Sequence, residues 1–172
     1  MKEIIRYAWG TSSLGEFVVA TLERRLVALE FSSRADRPVS SLESRFPHAE
    51  LLEDPAGLKT IVEKAASIIE CPAAAATVAV DMRGSDFERE VWSALQEIPA
   101  GRTVSYSELA CRVGGPHLAQ EVGAACAANM IAVVIPCHRV LKKDGRISGY
   151  RWGTWRKRAL LEREYLVNFS LT

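Results

Sequence analysis

Apolar positions along the chain fall into two regimes. Residues 4–10 (IIRYAWG), 14–22 (LGEFVVATL) and 25–32 (RLVALEFS) are short runs rich in β-branched and aromatic side chains, separated by turn residues such as those of SSLG. That pattern predicts a β-meander. PVSSLESRF and PAGLKTIVEKAASII follow as helical patterns, the second with apolar residues spaced three and four apart. CPAAAA breaks the chain, and TVAVDM reads as one more strand.

Beyond residues 82–85 the pattern turns helical. SDFEREVWSALQEI opens with Ser85 and Glu88 at the spacing of a capping box and puts Phe87, Val91, Ala94 and Leu95 on one face. SYSELACRVGG opens in the same way with Ser105 and Glu108, and GGP makes a break before HLAQEVGAACAAN. Two short helices joined through a glycine turn outline a helix-turn-helix, although an ordinary helical hairpin has the same outline. VVI, running into Pro136, predicts a buried strand that delivers Cys137. KKDGRISGY predicts a hairpin or tight loop at Asp144-Gly145, and TWRKRALLEREYL a further helix on which Glu164 shares the inward face of Leu160 and Leu161. A carboxylate on such a face needs a partner.

Composition narrows the class without choosing a function. A chain of 172 residues with 48% hydrophobic and 25% charged residues matches an ordinary globular protein. No apolar run reaches the length of a membrane span, and MKEIIRYAWG lacks the pattern of a secretion signal, so the expectation is a monomeric, cytoplasmic protein. Four scattered cysteines, Cys71, Cys111, Cys126 and Cys137, suit neither a disulfide framework nor a zinc site. The formal net charge is +1, yet Arg139, Lys142, Lys143, Arg146, Arg151, Arg156, Lys157 and Arg158 face the single acid Asp144 in their stretch. Such a patch suits a polyanion or a plain solvated surface.

The strongest chemical signal is PCHRV. His138 can accept a proton and Arg139 adds positive charge, and both favour the thiolate of Cys137. Neighbouring side chains on an extended segment point to opposite faces, so a proton relay through water suits this pair better than a direct dyad.

PCHRV, with Asn129 before it and SGYRWG after it, resembles the active-site region of the O6-alkylguanine-DNA alkyltransferases, in particular the alkyltransferase half of the bacterial adaptive-response proteins. DMRGSDFEREVWSALQEIPAGRTVSYSELA and CAANMIAVVIPCHRV extend the likeness over residues 80–166, and more loosely over the first 80. The resemblance implies an α+β fold: a ribonuclease-H-like N-terminal domain over residues 1–82, and a helical C-terminal domain over 83–172 carrying a winged-helix-like helix-turn-helix. It implies direct-reversal DNA repair by a stoichiometric methylated-DNA–protein-cysteine methyltransferase that needs no cofactor or metal. Cys137 would take the alkyl group from guanine O6 once, His138 would take the thiol proton, and Glu164 would orient His138. Tyr106 would donate a proton or hydrogen bond to the departing base, and Asn129 would tie the recognition-helix segment to the active-site strand. Tyr150 and Ser148 would close over the alkyl group, with Lys157 matching a family lysine. Ala119, Gln120, Glu121 and Arg139 would meet alkylated DNA, double- or single-stranded.

One departure from the family stands out at Gln120, where the family places an arginine that fills the space left by the flipped nucleotide. Glutamine brings no cation to the phosphates, and Glu121 adds repulsion if it faces DNA. Four alternatives to ordinary repair of the duplex lesion stay open. The first is slow repair that prefers single strands or already weakened pairs, the second a transferase for a different or bulkier adduct, and the third a lesion-binding, alkyltransferase-like protein. The fourth is a cysteine hydrolase, which would turn over many times per site.

Overall fold

The computed structural model describes residues 1–36, 39–74 and 77–170. The start of the PVSSLESRF helix and the end of CPAAAA therefore lie outside the described residues. Three strands open the chain, β1 (Ile4–Ser12), β2 (Gly15–Leu22) and β3 (Arg25–Phe31), followed by a short helix α1 (Ser40–Arg45), β4 (Glu50–Glu53) and α2 (Lys59–Glu70). The sheet order is β3-β2-β1-β4, with β1–β2 and β2–β3 antiparallel and β1–β4 parallel. The expected meander is present. Its second hairpin turns at Glu23 and Arg24, both with positive φ, where asparagine and glycine are the usual residues.

Both faces of the sheet are covered, which explains why β2 and β3 read as continuous apolar runs. Ala8, Phe17, Val19, Leu26 and Leu29 face a core shared with α2 and the helices that follow. Ile5, Val18, Ala20, Val27 and Ala28 pack against Leu42 and Met130 on the other side. The first of these two clusters runs through both halves of the chain.

The helical half comprises α3 (Asp86–Gln96), a two-residue strand β5 (Val104–Ser105), α4 (Tyr106–Val113), α5 (Ala119–Ala127), β6 (Val140–Leu141) and α6 (Thr154–Ser170). Both capping boxes form: Ser85 accepts from the Glu88 amide and Ser105 from the Glu108 amide, and each glutamate reaches back to its cap. Gly114 and Gly115 break the chain between α4 and α5 at φ of 153°, a conformation that side chains with a Cβ rarely adopt. α4 and α5 pack on each other and on α3, and the Trp92 indole donates to the Ala125 carbonyl at 2.8 Å. No helix among the described residues is long and apolar enough to cross a membrane.

Two expected strands are absent, for one reason. TVAVDM contributes a single bridge from Val80 to Leu26, and the segment before Cys137 a single bridge from Ile131 to Leu29. Both lie along the outer edge of β3, where the Leu29 amide donates to the Met130 carbonyl and the Ala132 amide to the Leu29 carbonyl. Two separate segments share one edge, so neither extends into a ladder. After Ile131 the chain turns, and VVI forms part of that turn. KKDGRISGY forms a tight loop closed by the Lys142 amide donating to the Arg146 carbonyl. β6 pairs in parallel with β5 rather than within a hairpin.

The Ser105 cap also fixes the first residue of α4, Tyr106. Replacing Ser105 with alanine is expected to remove about 1 kcal/mol of stability and to lower the melting temperature by about 2–4 °C, read by thermal unfolding followed by circular dichroism.

Candidate active site

The nucleophile candidate sits at the end of a stack of tight turns pinned by one amide. Asn129 follows α5 and is fully buried. Its Nδ2 donates to the Ile135 carbonyl at 2.9 Å and to Cys137 Sγ at 3.3 Å, and its Oδ1 accepts from the Ile131 amide at 2.9 Å. Within that span the Val134 amide donates to the Ala132 carbonyl at 2.7 Å, across Val133 at φ of 67°. A positive φ is rare for a β-branched residue and costs on the order of 1–3 kcal/mol. The Cys137 amide then donates to the Ile135 carbonyl across Pro136. The predicted tie made by Asn129 is thus present, but it joins α5 to a turn and not to a strand.

Cys137, His138 and Arg139 form a single 3-10 turn, and all three are buried. Successive residues of such a turn point about 120° apart. Cys137 therefore faces Asn129, while His138 and Arg139 face α6. His138 Nε2 lies 2.7 Å from Glu164 Oε1. Arg139 gives Glu164 its Nε and a terminal nitrogen, at 3.0 and 2.7 Å to Oε1, and its other terminal nitrogen donates to the Ile98 carbonyl at 2.5 Å. Arg139, expected at the DNA face, is instead turned into the protein, because the buried carboxylate of Glu164 requires a full counter-charge.

These contacts fix the protonation states. Burial alone would raise the Glu164 pKa, but hydrogen bonds and charge from His138 and Arg139 outweigh it and hold the group at about 2. Burial pushes His138 below the usual histidine value; the Glu164 carboxylate opposes that push, and the adjacent Arg139 adds to it. A neutral imidazole that gives its Nε2 proton to Glu164 has Nδ1 as a free acceptor. Nδ1 is buried and has no hydrogen-bond partner among the described residues. Burial also raises the Cys137 thiol, opposed in part by the Asn129 hydrogen bond and by the charges of Lys157 and Arg151. The charges that the sequence places near Cys137 favour the thiolate, but burial works against it and is the larger effect.

A second group of side chains faces the same sulfur. The Tyr106 hydroxyl lies 2.5 Å from Ser148 Oγ, and Lys157 Nζ donates to that oxygen at 2.9 Å. Ser148 and Lys157 are buried, and Tyr106 is half-buried. The Tyr150 hydroxyl is buried without a partner among the described residues, its ring edge-on to Trp152 at 5.2 Å. Cys126 on α5, which sequence reasoning passed over, interacts electrostatically with Cys137 and is pushed up to about 12 by burial. Nothing in its sequence neighbourhood signals this. Among the described residues, no three His, Cys, Asp or Glu side chains converge as metal ligands.

Gln120 and Glu121 are exposed on the first turn of α5, with Ala119 half-buried beside them. A carboxylate in that turn is favoured by the helix N-terminus, which gives Glu121 a structural reason to be there. The basic stretch is partly spent on contacts within the fold. Arg151 pairs with the buried Glu30 at 3.0 Å, Arg156 donates to the Leu14 and Trp152 carbonyls, and Lys157 is buried. Lys142, Lys143, Arg146 and Arg158 are exposed, Arg146 beside Asp144.

Because the folded pKa of Glu164 is depressed, its contribution to stability is present above the unfolded value of 4.5 and fades as pH falls toward about 2. Urea unfolding of the protein and of Glu164→Gln is therefore expected to show a stability gap of a few kcal/mol at neutral pH, narrowing between pH 5 and pH 2.

Residues 86–166 match the family described as 6-O-methylguanine DNA methyltransferase, DNA binding domain. The bifunctional transcriptional activator/DNA repair enzyme Ada of Escherichia coli is 39% identical over 160 residues, covering 93% of this chain but 45% of that protein. The chain thus spans about half the length of that relative. The inducible methylated-DNA–protein-cysteine methyltransferase of Bacillus subtilis is 36% identical over 152 residues, 86% of this chain and 83% of that one. Among solved structures, Mycobacterium tuberculosis OGT in complex with DNA superposes with a TM-score of 0.77 at 33% identity, covering 95% of this chain and 93% of that chain. With sequence and fold in agreement across both halves, this chain belongs to the methylated-DNA–protein-cysteine methyltransferase family.

Proposed function

We propose that the protein reverses alkylation damage in DNA by moving the alkyl group from guanine O6 to Cys137 Sγ, once per molecule. The observation that carries this reading is the pairing of Glu164 with His138 Nε2, which leaves Nδ1 a buried acceptor without a partner among the described residues, on the residue next to the buried Cys137. His138 takes the thiol proton, directly or through one water, as the sulfur attacks the alkyl carbon. The S–C bond forms while the C–O6 bond breaks, and its electron pair passes into the purine. Tyr106 supplies a proton to a ring nitrogen, so guanine leaves as a neutral base. The thioether formed is not hydrolysed, so the event does not repeat. Burial of the thiol supports base-assisted attack over a permanently ionised sulfur.

DNA, double- or single-stranded, is the partner in this reading. The M. tuberculosis relative solved with DNA supports it, as does the exposed first turn of α5. Flipping a nucleotide from the duplex costs a few kcal/mol, and Gln120 stands exposed where the family carries an arginine. That substitution makes extrusion the weak step and favours targets that are single-stranded or already unpaired. It is also the observation behind the second reading, a protein directed at a different or bulkier adduct, or one that only binds lesions.

Intact-mass analysis after incubation with an oligonucleotide carrying O6-methylguanine is expected to show a gain of one methyl group on Cys137. Cys137→Ala should gain none, and an unmodified wild-type Cys137 would overturn the reading. Gln120→Arg should accelerate transfer from duplex over transfer from single strands by about tenfold, equivalent to ~1.4 kcal/mol of the flipping cost. Equal changes on both substrates would remove Gln120 from the extrusion step.

A further inference from the structure

Ser148, between Lys157 and Tyr106, joins three side chains into one line of hydrogen bonds. At one end Lys157 Nζ donates to Ser148 Oγ at 2.9 Å, and Ser148 Oγ lies 2.5 Å from the Tyr106 hydroxyl at the other. An ammonium group has three donors and no acceptor, so Ser148 Oγ must accept from Lys157. The single Ser148 proton is then available for the Tyr106 oxygen. With its oxygen already accepting, Tyr106 is free to aim its own proton away from Ser148. Burial raises the Tyr106 pKa overall, and the Ser148 hydrogen bond works against that rise. Burial lowers Lys157, which makes its proton easier to give.

We propose that Ser148 and Lys157 are positioning residues for the leaving group, forming a one-way proton relay that points the Tyr106 hydroxyl at the base and refills it. This rests on the alkyl-transfer reading above and deepens it. As the C–O6 bond breaks, the ring nitrogen takes the Tyr106 proton, Tyr106 takes the Ser148 proton, and Ser148 takes one from Lys157. The lysine ends neutral and His138 ends protonated with the proton of Cys137, so charge and protons balance until both groups re-equilibrate with solvent. Alkyl transfer to a thiol then draws on two separate proton circuits. Glu164–His138 removes a proton from the nucleophile, and Lys157–Ser148–Tyr106 delivers one to the base.

The two circuits are separable with an electrophile whose leaving group needs no proton. Single-turnover methylation of Cys137 is measured with an O6-methylguanine oligonucleotide and, in parallel, with iodomethane, which departs as iodide. DNA binding of each variant is followed by fluorescence anisotropy. Ser148→Ala is expected to slow transfer from the oligonucleotide by about tenfold or more, within the range of general-acid effects, with a much smaller loss toward iodomethane. Lys157→Met, which also removes a charge that favours the thiolate, should slow both reactions but the oligonucleotide the more. Ser148→Thr and Lys157→Arg, which keep the hydroxyl and the charge, should recover the larger part of the oligonucleotide rate. An unchanged oligonucleotide rate in Ser148→Ala would overturn the relay. An equal loss with iodomethane would also overturn it, by assigning both residues to the thiol or to the fold. Wild-type protein that reacts with iodomethane but never with the oligonucleotide would overturn the alkyl-transfer reading itself.

Discussion

Glu164 carries a negative charge in a place with no access to solvent, and the site is organised around that fact. Taking an ion out of water costs several kcal/mol even after relaxation. The charge is tolerable because Arg139 meets it with two nitrogens while His138 meets it with a third. Arg139 spends its remaining nitrogen on the Ile98 carbonyl just beyond α3. One carboxylate therefore draws together α6, the Cys137–Arg139 turn and the end of α3. The same contact selects the tautomer of His138, so structural and chemical roles are met by a single group.

The cysteine is held by a different device. Its approach is a series of turns, each too tight for a strand, with a buried valine in a backbone conformation it would not choose alone. The Asn129 amide closes that series at three points and reaches the sulfur with its donor. Backbone strain near a nucleophile persists when the surroundings over-determine it. Here the surroundings include the edge of β3, which grips residues 130–132 through two backbone hydrogen bonds. The N-terminal sheet thus sets the height at which the thiol sits, although it contributes no side chain to the reaction.

Much of this could be read from the residue order, and the failures have a common origin. Both capping boxes depend on residues three apart, and both formed. PCHRV, Asn129 and Glu164 carry the resemblance, and they converge in the fold. The errors came where a local pattern met a distant partner. VVI and TVAVDM look like strands, but two segments divide one sheet edge between them. Arg139 looks like a surface cation, yet its partner stands on another element and points inward. The basic stretch that resembled a polyanion patch is partly a set of internal ties, with Arg151 on Glu30 and Lys157 on Ser148. The Glu23-Arg24 hairpin gave no warning, because neither residue is a usual source of positive φ. Tyr106, Ser148 and Lys157 each carry part of the resemblance, but that they form one hydrogen-bonded line depends on contacts 9 and 42 residues apart in sequence.

Chain order adds a timetable to this architecture. Cys137 and His138 precede α6 in the chain, so until α6 docks the imidazole has no carboxylate to choose its tautomer and the Arg139 guanidinium has no anion to face. At that stage the cysteine is an ordinary thiol in an unfinished fold. Docking of α6 completes the ion pair, dries the turn and orients the base in one event. In the single-use reaction proposed above, the base is thus oriented only once α6 has docked.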